Sequence, residues 1–175
     1  MSDGSWIEPL ETLYADNRFR SRLEARWALF FDVLAIAWEY EPEGYSLNGS
    51  GYRPDFWLPN WKCFVEIKRQ GAPAAECEKS LELSRRLSCV VLVIRGKPQI
   101  PEYSIDLMDG GEVVDERLRI YPCPGCDGFM LARYYHMGQH YEPSGPGFMR
   151  LMAAQERACS ERFEGRRRRE PPYAP

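Results

Sequence analysis

The sequence predicts an α/β fold: a mixed sheet flanked by helices, with a small C-terminal extension. Three patterns in the 175 residues predict it. Leu23, Trp27, Phe30, Phe31 and Leu34 recur at three- and four-residue steps, the stripe of an amphipathic helix over residues 18–36. Phe56-Trp57-Leu58 and Cys63–Ile67 flank the turn signal Pro59-Asn60, as two strands of a hairpin do. The helical stretch Ala74–Leu87 then leads into the apolar run Cys89–Ile94. Such a run fits a buried central strand reached by a crossover helix.

The remaining elements follow in order. Residues 1–15 form a leading segment, with Trp6, Ile7, Leu10 and Leu13 packing one side of a helical turn or two. Trp38–Glu41 alternates as a first strand, and Tyr45–Leu47 runs into the strong turn Asn48-Gly49-Ser50-Gly51. In the second helix Cys77, Leu81, Ser84 or Arg85, and Leu87 mark the inner side. The order to this point is α-β-β-β-α-β. Tyr103–Met108 and Glu112–Tyr121 form a hairpin around Asp109-Gly110-Gly111 that extends the sheet at one edge. A breaker stretch at 143–147 precedes a last helix, Phe148–Phe163. This divides the chain into a core over residues 1–97, an extension over 98–164 and a basic, disordered tail over 165–175.

Composition narrows the class. A hydrophobic share of 44% with 28% charged residues is globular. No apolar run approaches ~20 residues, so no membrane span is expected. Met1–Gly4 lacks the basic and apolar regions of a signal peptide. The six cysteines are scattered, which fits a reducing cytoplasm better than a secreted framework. The net charge of −3 hides an asymmetry. Residues 117–175 carry ten Arg, no Lys and six acids, while the rest of the chain is acidic. A basic end beside an acidic body suits a polyanionic partner.

The chemistry concentrates in Tyr52–Gln70, which holds Asp55, Glu66 and Lys68. A two-residue loop at Pro59-Asn60 makes Glu66 the diagonal neighbour of Asp55. A four-residue loop sets the two directly opposite. Either register leaves both carboxylates on one face, roughly 5–8 Å apart. Lys68 joins that face by alternation, and Phe56, Leu58, Cys63, Val65 and Ile67 line the other. Two such carboxylates can share a hard divalent cation, Mg²⁺ or Mn²⁺. A cation there polarises a phosphodiester, while Lys68 orients or deprotonates a water or neutralises the phosphate.

Pro54-Asp55 followed by Glu66-Ile67-Lys68 resembles the signature of the PD-(D/E)XK nucleases. Gln70 sits where many members carry a Gln, and Ser21-Arg22-Leu23-Glu24 resembles their first-helix acid. The resemblance covers roughly residues 18–96. It implies a restriction-endonuclease-like αβββαβ core and metal-dependent cleavage of nucleic acid, DNA favoured over RNA. It implies Asp55 and Glu66 as metal ligands and Glu24, Lys68 and Gln70 as their catalytic companions. A homodimer, or a partner protein in a DNA-processing complex, would accord with it. Glu24 also has a local reading, because Ser21-x-x-Glu24 is a capping-box pattern. A binding module on the same fold, without turnover, is the competing function.

Two further features lie outside the core. Cys123, Cys126, His136 and His140 are spaced C-x2-C-x9-H-x3-H, which can close a tetrahedral structural Zn²⁺ site. Arg166, Arg167, Arg168 and Arg169 form a run that can contact phosphates. Tyr45, Tyr52 and Trp57 could stack on bases, although packing is the commoner use of aromatics in strands.

Overall fold

The computed structural model describes residues 11–99, 103–133 and 145–166. It is a mixed α/β structure. The described residues open with β1 (Glu11–Tyr14) and β2 (Asn17–Phe19), paired antiparallel. The turn between them holds Ala15 and Asp16 at φ 46° and 60°, the left-handed pair that a tight hairpin demands. Residues 11–14 are a strand, so Leu13 is not on the expected helical turn, while Trp6, Ile7 and Leu10 of that expectation lie outside the described residues. Helix α1 (Arg22–Val33) is correspondingly shorter than 18–36. Ser21 is still extended, at φ −144° and ψ 156°, and its Oγ accepts from the Glu24 N–H as the N-cap.

A seven-stranded sheet carries the molecule. It comprises β3 (Glu39–Tyr40), β6 (Phe56–Leu58), β7 (Cys63–Lys68), β8 (Val90–Arg95), β9 (Ser104–Asp109), β10 (Glu112–Pro122) and β11 (Phe129–Arg133). Their order across the sheet is β11-β10-β9-β8-β7-β6-β3. Among these strands only β7 and β8 run parallel, and α2 (Glu78–Leu87) makes the crossover between them after a 3-10 turn, Ala74–Cys77. The expected edge extension is present, since β9 pairs with β8 and the β9–β10 hairpin turns at Gly110-Gly111. The strands β4 (Tyr45–Leu47) and β5 (Ser50–Tyr52) form a separate two-stranded ribbon turned at Asn48-Gly49.

Two cores sit on the two faces of the sheet. Phe56, Leu58, Cys63, Val65, Ile67, Leu92 and Ile94 pack against Trp27, Phe30 and Phe31 of α1 and Leu151 of α3 (Pro146–Ser160). The alternating partners Phe64, Val91 and Val93 pack under Leu83 of α2 and Leu47 of the ribbon. The inner side of α2 is Ser80, Leu83 and Ser84, whereas Leu87 is exposed. The two serines can be buried because each has a partner: Ser80 meets Tyr52 Oη, and Ser84 Oγ accepts from the Gly111 N–H. In α3 the buried residues are Leu151, Ala154, Gln155 and Ala158, and Met152 is exposed. Gly165–Arg166, the start of the expected tail, forms a strand on β1.

Candidate active site

The site forms where the carboxyl end of β7 meets the start of α1. In the β6–β7 hairpin Leu58 pairs with Cys63 and Phe56 with Val65. That is the four-residue loop, and continuing the register by one pair sets Asp55 opposite Glu66. Phe56, Leu58, Cys63, Val65 and Ile67 fill the core face as expected. Asp55 and Glu66 are nevertheless buried, 3% and 6% exposed, with Arg20 against Asp55 and Tyr52 of β5 against Glu66.

Each acid is held by named partners. Asp55 Oδ2 accepts from the Ile67 N–H at 2.7 Å, and Asp55 Oδ1 takes Arg20 Nη2 at 2.7 Å. Glu66 Oε1 takes Lys68 Nζ at 2.7 Å, and Glu66 Oε2 accepts from Tyr52 Oη at 2.9 Å. Glu24 accepts from Ser21 Oγ at 2.6 Å, from Tyr40 Oη at 2.7 Å and from the Arg20 N–H at 3.2 Å. The local reading of Glu24 is met in part: Ser21 Oγ accepts from the Glu24 N–H, while the Glu24 carboxylate reaches back to the Arg20 N–H rather than to that of Ser21.

Electrostatics tie the three acids together. Burial raises the Asp55 carboxyl well above its usual range, and the negative charges of Glu66 and Glu24 raise it further; the Ile67 N–H and Arg20 pull the other way. Burial alone would lower the Lys68 ammonium, but Glu66 and then Asp55 outweigh it and hold it raised. Tyr52 is raised by burial and by Glu66.

Among the described residues, no three His, Cys, Asp or Glu side chains gather closely enough to hold a metal between them. Mg²⁺ asks less than that, taking one or two carboxylates and completing its shell with water and phosphate oxygens. Asp55 and Glu66 meet this demand: hard oxygen donors whose mutual repulsion a cation would relieve. Gln70 is exposed and lies outside the cluster, lining an adjoining groove with Arg69.

The Cys123–Cys126 turn caps the end of β10. The Cys123 N–H donates to Gly128 O at 2.9 Å, and the Gly128 N–H to Cys126 Sγ at 3.4 Å. Hydrogen bonding from the Gly125 backbone, then from the Cys126 thiol, lowers the Cys123 thiol. His136, His140 and Arg167–Arg169 lie outside the described residues, as does the side chain of Arg166. Tyr45 and Trp57 pack on Phe64, with ring centroids 5.8 and 4.7 Å away.

Sequence reasoning missed Arg20, Tyr52 as a partner of Glu66, and Tyr40. Arg20 is a loop residue with nothing in its local pattern to mark it. The Tyr52 signal was present, since that residue opens the motif stretch. Comparison with family models, with curated proteins and with solved structures gives no match.

Proposed function

We propose that this chain is a Mg²⁺-dependent nuclease that hydrolyses DNA phosphodiester bonds as an endonuclease, in restriction, repair, recombination or phage DNA processing. The observation that carries the reading is buried Asp55, in the bend just before β6, beside buried Glu66 of β7, with Lys68 2.7 Å from Glu66 and both Glu66 and Glu24 acting electrostatically on Asp55. The order α1-β3-β6-β7-α2-β8, with β7 and β8 parallel, supports it as the αβββαβ arrangement of the nuclease core.

Asp55 and Glu66 would hold Mg²⁺, or Mn²⁺ in its place. When bound, the ion supplies charge for the phosphate and a more acidic water. Without the ion, Glu66 and Asp55 hold the Lys68 ammonium raised. With those charges engaged by Mg²⁺, Lys68 would orient or deprotonate the attacking water, or neutralise charge on the phosphate. Tyr52 fixes the Glu66 carboxylate from the β4–β5 ribbon. Glu24, with three hydrogen bonds of its own, steadies the entrance and adds negative potential.

A structural zinc held by Cys123, Cys126, His136 and His140 belongs to the same proposal. Its support is the turn that brings both thiols to one end of β10 and eases Cys123 toward thiolate.

One observation favours the binding module instead. Arg20 and Lys68 already sit on Asp55 and Glu66, as in a structural ion-pair network. Incubation of supercoiled plasmid with the protein separates the readings. Nicking or linearisation with Mg²⁺ and none with a chelator supports the nuclease. Inertness on every nucleic acid with Mg²⁺ and Mn²⁺ leaves the binding module.

A further inference from the structure

A groove of about 640 Å³ opens beside the carboxylate cluster. Its walls come from the first turns of α1, the chain leaving β7 and the chain leaving β8. Arg22, Arg26, Arg69 and Lys97 line it, with no carboxylate among the described residues of its walls, in a chain whose net charge is −3. The groove lies at the carboxyl ends of the parallel pair, the place where open α/β sheets receive ligands. Its three walls are fastened together. Trp27 Nε1 donates to Gly96 O at 3.0 Å, and the Gly96 N–H to Lys68 O at 2.9 Å. The first of these bonds comes from a fully buried indole.

The cations divide by what else they do. Arg26 is committed, since its guanidinium caps α3 through Ala158 O and Cys159 O. Among the described residues the Arg69 guanidinium meets Glu76, at 3.2 Å with both side chains solvated, a weak pairing. Arg22 and Lys97 are exposed and have no ion-pair partner among the described residues. Arg22 and Lys97 are thus open to anions, and Arg69 can join them by leaving its weak pair with Glu76. Between them the walls are mainly apolar, formed by Leu23 and the side-chain stems.

We propose that this groove binds single-stranded DNA beside the scissile bond, with a base against Leu23 and the arginine planes and the flanking phosphates on Arg22, Arg69 and Lys97. The assignment rests on the nuclease reading of the neighbouring acids. A pocket of this volume is of the size that encloses a small molecule; it takes an unstacked nucleotide and not a duplex. Apolar walls combined with Arg suit stacking that tolerates any base.

The test is equilibrium binding of fluorescein-labelled DNA, roughly 12 nucleotides long, single-stranded and as a duplex, with chelator present so that nothing is cut. Wild type and Asp55→Asn should both favour the single strand. The triple variant Arg22→Ala, Arg69→Ala, Lys97→Ala should bind it at least about tenfold more weakly. Its log–log salt dependence should be shallower by about 0.7 for each phosphate that is no longer neutralised. Unchanged affinity and slope in the triple variant, or tighter binding of the duplex by wild type, overturns the proposal. Arg26 is left in place because its removal would loosen α3. All three changes are at exposed positions, and an unaltered melting curve confirms that the variant is folded. A protein that binds single strands through this groove but never cuts leaves the groove standing and removes the nuclease.

Discussion

Arg20 Nη2 stands 2.7 Å from Asp55 Oδ1, so a cation from the loop before α1 reaches the most buried acid of the cluster. Arg20 also meets Glu41 at 2.7 Å and is itself half exposed. The pair does not cancel the potential at Asp55. Burial, Glu66 and Glu24 together still hold that carboxyl raised. On the proposed function a divalent cation would take the place of the proton that this raised carboxyl otherwise holds.

Stability should follow pH accordingly. An ordinary Asp titrates near 3.8, and Asp55 lies well above this in the folded state. The folded chain then holds its proton to higher pH than the unfolded chain. The resulting stabilisation is complete below the ordinary value and is lost as pH rises through the folded one. Asp55→Asn removes this loss. In urea unfolding without Mg²⁺ the variant should match or exceed wild type at neutral pH, and its advantage should shrink on acidification. Saturating Mg²⁺ should stabilise wild type more than the variant. A variant clearly weaker than wild type at neutral pH without Mg²⁺ would mean that Asp55 is a structural ion-pair partner.

Tyr52→Phe isolates a positioning hydrogen bond. It removes the donor 2.9 Å from Glu66 Oε2 and retains the ring that packs in the α2 core. One neutral-to-charged hydrogen bond is worth about 1.5–3 kcal/mol when well placed. Cleavage should therefore fall by roughly tenfold to a hundredfold, and the Mg²⁺ concentration for half-maximal rate should rise, with the melting temperature shifted by only a few degrees. An unchanged Mg²⁺ requirement would remove Tyr52 from the site.

The zinc reading makes its own prediction. Purified protein should carry about one zinc per chain. Cys126→Ser should abolish it, and chelation should loosen the C-terminal third before the sheet. Elemental analysis without zinc ends the idea whatever the nuclease assay gives.

Much of this was legible in the sequence for a physical reason. Strand alternation fixed which side of β7 is apolar, and an even-length loop was enough to bring Asp55 and Glu66 to one face. The choice between two and four residues was not legible, because Trp61 reads equally well as strand or turn. What decides it is Lys62 at φ 50°, a conformation that no local pattern announced. The β1–β2 pair was missed because strands of four and three residues carry too little periodicity. Arg20 was missed because its partner is 35 residues away. Ser80 was left off the inner side of α2, and Ser84 was not separated from Arg85, because their burial depends on Tyr52 and Gly111, which arrive from other elements.

The most direct test of the central claim is plasmid and single-strand cleavage by wild type and Asp55→Asn in saturating Mg²⁺, with folding of both verified by circular dichroism. Asp55→Asn keeps the shape of the side chain and removes the charge that holds a hard cation. The predicted result is cleavage by wild type and none above background by the folded variant, with Glu66→Gln and Lys68→Ala equally inactive and Glu24→Gln reduced less. Equal cleavage by wild type and Asp55→Asn would contradict the account.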